Sequence, residues 1–224
     1  MSNSFEDLLL RAGLSAQQVA AAHEFRQCVV EENERQNLTR LLEPEDFFRG
    51  HVVDVLELRR FRERLPEGPA PAVDLGTGAG VPGLLSAALY QDESWTLVDS
   101  EIRKAEYLKR TVERLGLGGR VKVLHGRVET LKGRLQAPVV VSRAVGSVEK
   151  LYSWLEGCST WNSLILLKGP KWEEEWSGFL VSRWRQRLSP GESLEYSVGG
   201  QIKRLIIQLH RVPRGTSKIS PDGK

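Results

Sequence analysis

A chain of 224 residues, 40% of them apolar, is long enough for one sizeable hydrophobic core with a small accessory unit. Its net charge of +3 is too small to identify a nucleic-acid partner, and its two cysteines, Cys28 and Cys158, match no metal-ligand or redox spacing, so a reduced intracellular protein without a metal is expected. The first residues lack the basic-then-apolar pattern of a secretory signal, and no apolar run approaches membrane-spanning length, so a soluble cytoplasmic protein is expected.

Residues 1–66 read as a helical cap. Ser15 and Gln18 have capping-box spacing, and Val19, Ala22, Val29 and Val30 recur on one face of a helix running to about Arg35. A break follows at Gln36-Asn37-Leu38-Thr39. Pro44 suits the first turn of another helix, whose period continues through Val52, Val55, Leu56 and Arg59. Pro66, Gly68, Pro69 and Pro71 form a linker, which marks the boundary to a second unit, 67–210.

In that unit strands are expected at 71–75, 95–99, 120–125, 138–142 and 163–168, with helices in the gaps. The clearest helix is 101–115, with Ile102, Ala105, Leu108, Val112 and Leu115 at three- and four-residue steps. Near-continuously apolar strands alternating with helices imply a mostly parallel sheet covered on both faces. The runs 193–198 and 203–210, separated by Gly199-Gly200, read as a hairpin that makes the last strand antiparallel and brings the sheet to seven strands. Residues 211–224 carry Arg211, Arg214, Lys218 and Lys224 against Asp222 alone; this basic tail is either solvated and disordered or a phosphate-touching arm.

The most informative segment is 72–83, AVDLGTGAGVPG. An apolar strand runs into closely spaced glycines and then a helix start, an arrangement that lets backbone approach a ligand closely and offers free N–H groups to it. Gly78, Gly80 and Gly83 spell the dinucleotide pattern, with Asp99 sixteen residues beyond. Counted from the strand end, however, the frame is Asp74-x-Gly76-x-Gly78-x-Gly80, and a carboxylate at that turn repels a pyrophosphate but tolerates a cationic cofactor. Asp99, ending the second strand, is placed to accept hydrogen bonds from both ribose hydroxyls. The alternatives are a turn-stabilising role for Asp74 and a helix N-cap for Asp99, a task that Ser100 can also perform.

This frame and architecture resemble the Rossmann-like class I S-adenosylmethionine-dependent methyltransferases. The resemblance implies that Asp74, Gly76, Thr77, Gly78 and Gly80 hold the methionine end, that Asp99 holds the ribose, and that the loop 126–129 after His125 contacts the adenine. Around this core stand Asn37-Leu38-Thr39, His51-Val52-Val53-Asp54, Ser142-Arg143-Ala144-Val145 and Leu167-Lys168-Gly169. That ordered set, from about residue 33 to 209, resembles the bacterial small-subunit (16S) rRNA guanine-N7 methyltransferase family, also called glucose-inhibited division protein B. The resemblance implies methyl transfer to N7 of a guanine in the decoding region of the rRNA, as naked RNA or in a small-subunit particle, by a monomer. It also maps Gly76, Val81, Val128, Glu129 and Arg143 onto cofactor contacts. Val55, Gly146 and the run Glu101-Ile102-Arg103-Lys104 depart from the family's usual residues.

Guanine N7 carries a lone pair and no proton, so the reaction needs alignment and exclusion of water rather than a general base. The catalytic candidates are therefore positioning groups: Arg143, Asn37, His51 and Asp54. Arg143 is placed to donate to the guanine O6, a phosphate or the cofactor carboxylate; its alternative is a surface ion pair. His51 and Asp54 share a helix face that either closes over the pocket or forms a buried pair within the cap. Asn37 and Thr39 are site residues or turn residues, and Lys168 meets a phosphate or marks a strand exit. Arg103, Lys104, Lys109, Arg110 and Arg114 make the helix after Asp99 basic, either as a solvated face or as an rRNA contact. Trp154, Trp161, Trp172, Trp176 and Trp184 are expected to pack, with base stacking open to one exposed ring. Three other readings remain: a small-molecule methyltransferase of this fold, a nonenzymatic rRNA-binding assembly factor, and a nicotinamide-dependent oxidoreductase.

Overall fold

The capping boxes at Ser4–Asp7 and Ser15–Gln18 start α1 (Phe5–Arg11) and α2 (Ala16–Asn33), each closing two otherwise unpaired backbone donors. These elements belong to a computed structural model that describes residues 4–213 except 132 and 201. Helix α2 buries Val19, Ala22, Phe25, Cys28 and Val29, while Val30 is only half-buried. The break after it is pinned by Asn33, whose Oδ1 accepts from the backbone N–H of Leu38 (2.8 Å) and Thr39 (3.0 Å). Pro44 sits at the first turn of α3 (Pro44–Phe47), which passes through a π-helical turn, Phe48–Val52, into α4 (Val53–Arg64). A π turn widens the helix locally and is frequent at functional sites; here it carries His51.

The strands β1 (Ala72–Leu75), β2 (Trp95–Asp99), β3 (Val121–His125), β4 (Val139–Arg143) and β5 (Ser163–Lys168) lie within one residue of expectation. Helices α5 (Gly83–Leu89), α6 (Ile102–Arg114), α7 (Val148–Leu155) and α8 (Trp172–Leu180) separate them, except that the described residues between β3 and β4 hold only a short 3-10 turn, Val128–Thr130. The hairpin strands β6 (Leu188–Val198) and β7 (Ile202–Arg211) complete a seven-stranded sheet in the order β3-β2-β1-β4-β5-β7-β6. The first five strands pair in parallel, and β7 pairs antiparallel with β5 and β6. Strand β6 starts earlier than expected because Pro190 is tolerated on an edge strand, next to a register shift.

Alternation along β1 and β4 sorts the core. Ala72, Val139 and Val141 face the cap helices and pack in one cluster with Phe25, Phe47 and Leu97; Val73, Leu75 and Val140 face α7 and pack with Trp161, Tyr152 and Phe179. The cap and the sheet thus share a core. They are also tied by a buried carboxylate: Glu93, before β2, accepts from Arg62 of α4 at 3.0 Å.

Two expectations about basic segments change. Arg211 is the last residue of β7, where its Nη1 donates to the Cys158 carbonyl (2.6 Å) and its guanidinium stands 4.9 Å from the Trp161 ring. It is not part of a tail; Arg214, Lys218, Asp222 and Lys224 lie outside the described residues. On α6, Arg110 pairs with Glu32 (2.8 Å), Arg114 with Glu24 and Glu31 (2.6 and 2.7 Å) and Lys104 with Glu101 (2.7 Å), while Arg103 donates to the Arg35 carbonyl (2.7 Å). Acidic residues of α2 thus pair Arg110 and Arg114, and Glu101 pairs Lys104, while Arg103 and the exposed Lys109 have no ion pair among the described residues. Among the described residues no helix is long and apolar enough to cross a membrane.

Candidate active site

Strand order reverses between β1 and β4, and in such sheets the ligand crevice opens at the C-terminal ends of the strands flanking that point. Gly76, Gly78 and Gly80 all have positive φ, at 71°, 56° and 93°. At Gly76 space is as restrictive as conformation, because a Cβ there would stand 2.5 Å from Val145 Cγ2 in the loop after β4. The glycine thus lets two crevice loops meet.

Asp99 ties the start of α6 to the glycine turn. Its Oδ1 accepts from Glu101 N–H at the start of α6 (2.9 Å), and its Oδ2 accepts from Gly78 N–H (3.0 Å). At 6% exposure it still borders a cleft of about 390 Å³, a volume within the roughly 300–1,000 Å³ of small-ligand sites. A carboxylate has about four acceptor positions, so two remain for ligand hydroxyls. Gly76, Val128 and Glu129 line the same cleft. Val145, Lys150 and Trp154 line it too and were missed. The Lys150 ammonium is 5.1 Å from the centroid of the Trp154 ring. Val145 closes the Ser142-Arg143-Ala144-Val145 motif and Trp154 is among the rings weighed for stacking, while Lys150 has no signal beyond lying on the helix after β4.

Asp74, Thr77 and Val81 lie behind the cleft wall. In β1 Asp74 is paired on both sides, opposite Leu97 and Val141, and alternation turns its side chain to the cap face. There its Oδ2 accepts from Thr77 Oγ1 (2.6 Å) and Gly83 N–H (2.8 Å), while its buried Oδ1 has no partner. Burial pushes its pKa up to about 6, against those two hydrogen bonds. The turn-stabilising reading of Asp74 describes this geometry; it is not a carboxylate at the mouth of the turn. Gly80 is likewise buried, and Gly78 is half-buried over Asp99.

Arg143, last in β4, points to the cap face rather than into the cleft. Its Nη1 donates to the Gly50 carbonyl (2.7 Å) and to Asp54 Oδ2 (3.0 Å), and its Nη2 donates to His51 Nδ1 (3.1 Å). Arginine is a donor only, so Nδ1 accepts and the His51 proton sits on Nε2, which donates to Thr39 Oγ1 at 3.1 Å. Burial, with the Arg143 charge adding to it, pushes the His51 pKa down to about 3, so the ring is neutral. Asp54 Oδ1 accepts from the Tyr196 hydroxyl (2.7 Å) and from Arg204, both on the hairpin. His51 and Asp54 are joined through Arg143 rather than paired with each other. The next residue, Ala144, has a left-handed φ of 57°, a conformation non-glycine residues adopt seldom and mostly at functional sites.

Asn37 is not in this cluster. It is exposed on a turn whose Gln36 side chain donates to the Arg103 carbonyl (3.1 Å). Lys168 is the last residue of β5, at the strand exit, but its ammonium is not free for a phosphate: it donates to Glu175 Oε1 (2.6 Å) and the Gly146 carbonyl (2.8 Å), bracing the loop after β4. Tyr196 and Arg204 had no sequence signal, being more than 140 residues from Asp54.

The family model GidB, rRNA small subunit methyltransferase G, matches residues 18–183. The chain belongs to this family. A relative from Novosphingobium aromaticivorans, named ribosomal RNA small subunit methyltransferase G, is 36% identical over 192 residues, 85% of this chain and 82% of that one. One of the same name from Moorella thermoacetica is 32% identical over 209 residues, 87% and 82% of the two chains. Among solved structures, the magnesium protoporphyrin IX methyltransferase of Synechocystis PCC 6803, with bound S-adenosylmethionine, superposes with a TM-score of 0.58 at 16% identity over 84% of this chain and 97% of that one. That likeness is one of fold, a class I methyltransferase sheet, and the family's chemistry sets aside the dinucleotide reading of the glycine turn.

Proposed function

We propose that this chain transfers the methyl group of S-adenosylmethionine to N7 of a guanine in the decoding region of 16S rRNA, in the cytoplasm where that RNA is assembled. In this reading residues 1–66 supply acceptor-side groups and residues 67–210 the cofactor cleft. The observation that carries it, beyond family membership, is the state of the Arg143 cluster. His51 has both ring nitrogens engaged, and Asp54 has both oxygens held by arginines. Neither is free to take a proton, which suits a nucleophile that has none to lose.

S-adenosylmethionine, when bound, supplies a methyl carbon on a sulfonium sulfur, an electrophile that needs no further activation. Asp99 would accept from its ribose hydroxyls, Val128 and Glu129 would border its adenine, and the backbone of 76–80 would approach its methionine end. Three of the five N–H donors of Arg143 are engaged within the protein, leaving two for the acceptor. A fork onto both O6 and N7 would cover the reacting lone pair, so Arg143 holds the base through O6 or a phosphate. The cap helices exclude water from the junction.

Incubation with labelled S-adenosylmethionine and naked rRNA, intact small subunits or nucleosides, followed by mapping of the modified base, tests this directly. Label at a guanine N7 of 16S rRNA is expected; no label in any RNA overturns it. For Asp99→Ala, affinity for S-adenosylmethionine measured by calorimetry is expected to fall about tenfold or more, because a charged acceptor for two hydroxyls is lost along with a tie to the glycine turn. Unchanged affinity would confine Asp99 to capping α6.

A further inference from the structure

Beside the Arg143 cluster lies a small pocket of about 200 Å³. It shares Gly169, Pro170, Lys203 and Arg204 with a larger groove of about 470 Å³ between the start of α8 and the β6–β7 hairpin. The far wall of that groove includes Trp172. This half-buried ring stacks on Trp176 (centroids 5.6 Å apart, planes 21°), which stacks on Phe179 (5.2 Å, 16°), itself buried. Trp172 is therefore held by a ladder of rings. Lys203, exposed on the hairpin, has no ion pair or side-chain hydrogen bond among the described residues; Glu173, next to Trp172 in sequence, and Glu195 on β6 also line the groove.

We propose that this groove receives a second nucleotide of the RNA strand, a neighbour of the methylated guanine, with its base on Trp172 and its phosphate at Lys203. The inference rests on the rRNA methylation reading. A guanine that reaches an enclosed site must leave its stack, and its neighbour then loses one stacking partner. A fixed aromatic ring replaces that partner whatever the base, since every base has a π-face. The charges give the polarity: Glu173, beside Trp172, repels a phosphate from that end, and the Lys203 ammonium, which also lines the pocket with Arg143, attracts it. A small-molecule acceptor would need no such extension.

The test compares wild type with Trp172→Ala, Trp172→Phe and Lys203→Ala, using whichever of naked 16S rRNA or unmodified small subunits the wild type labels, with calorimetric affinity for S-adenosylmethionine as a check on folding. Trp172→Ala is expected to lower kcat/KM for the RNA about tenfold or more with cofactor affinity unchanged. Trp172→Phe, which keeps a stacking face, should stay within about threefold of wild type, and Lys203→Ala should reduce the salt slope of RNA binding by about one. Full activity of Trp172→Ala overturns the groove, and so does a Trp172→Phe variant as impaired as the alanine one, which would mark the ring as helix packing. If the wild type labels RNA, either result removes the groove alone. If it labels none, the methylation reading falls and the groove with it.

Discussion

Replacing Arg143 with alanine is expected to lower the single-turnover rate of methyl transfer by about 10²–10³-fold, the usual loss for one pre-positioned donor in an enclosed site, while affinity for S-adenosylmethionine stays within about threefold. The split follows from where the guanidinium points. It leaves β4 on the cap face and binds Gly50, His51 and Asp54, whereas the cleft proposed for the cofactor is bordered by Asp99, Val128 and Val145. Its loss leaves His51 Nδ1 without a donor and Asp54 with Tyr196 and Arg204 alone. Because Asp54 keeps a counter-charge, the fold is expected to survive. Arg143→Lys restores the charge but not the planar fork that spans three acceptors, so it is expected to recover little. Full transfer by Arg143→Ala would remove this residue from the site, and a large loss of cofactor affinity would move it to the cofactor side.

The parts of this molecule legible in its sequence are those determined by local periodicity. The strand–turn–helix at 72–83, the carboxylate ending β2 and the Gly-Gly hairpin each declare themselves within a dozen residues. What stayed hidden depends on which way a side chain faces and on what lies across the fold. Asp74 looked like a ligand because it ends an apolar run, yet the two-residue alternation of β1 turns it under the turn it helps to hold. Arg110 and Arg114 of α6 look available in the sequence because their acidic partners on α2 are 78 or more residues away. His51 and Asp54 were identifiable, but not that Arg143 joins them. The π turn between α3 and α4, which carries His51 and the Gly50 carbonyl to Arg143, interrupts the 3.6-residue period for only five residues.

Replacing Glu93 with alanine is expected to lower stability by about 3–5 kcal/mol, the range for removing one partner of a buried ion pair. Glu93 is 0% exposed and Arg62 1%. The carboxylate accepts from Ser86 Oγ (2.6 Å), Trp95 Nε1 (2.7 Å) and Arg62 (3.0 Å) through one oxygen, and from Arg59 (3.3 Å) through the other. Arg59 has Asp92 and Glu63 in reserve, but without Glu93 the Arg62 guanidinium keeps, among the described residues, the Ala70 carbonyl as its hydrogen-bond acceptor and the Trp95 ring, its centroid 4.8 Å away, with Asp92 as a more distant counter-charge. Burial already pushes the Arg62 pKa down, with the Glu93 charge opposing it, so removal of the carboxylate leaves a desolvated cation uncompensated. At roughly 2–4 °C per kcal/mol for a chain of this size, Tm should fall by about 10 °C. The double variant Glu93→Leu with Arg62→Met removes both charges and should recover most of that loss. A fall in Tm of under about 2 °C, or a double variant no more stable than Glu93→Ala, would show that the pair does not join the cap to the sheet energetically. Since Glu93 lies before β2, at the opposite end of that strand from Asp99, methyl transfer well below Tm should be unchanged in both variants.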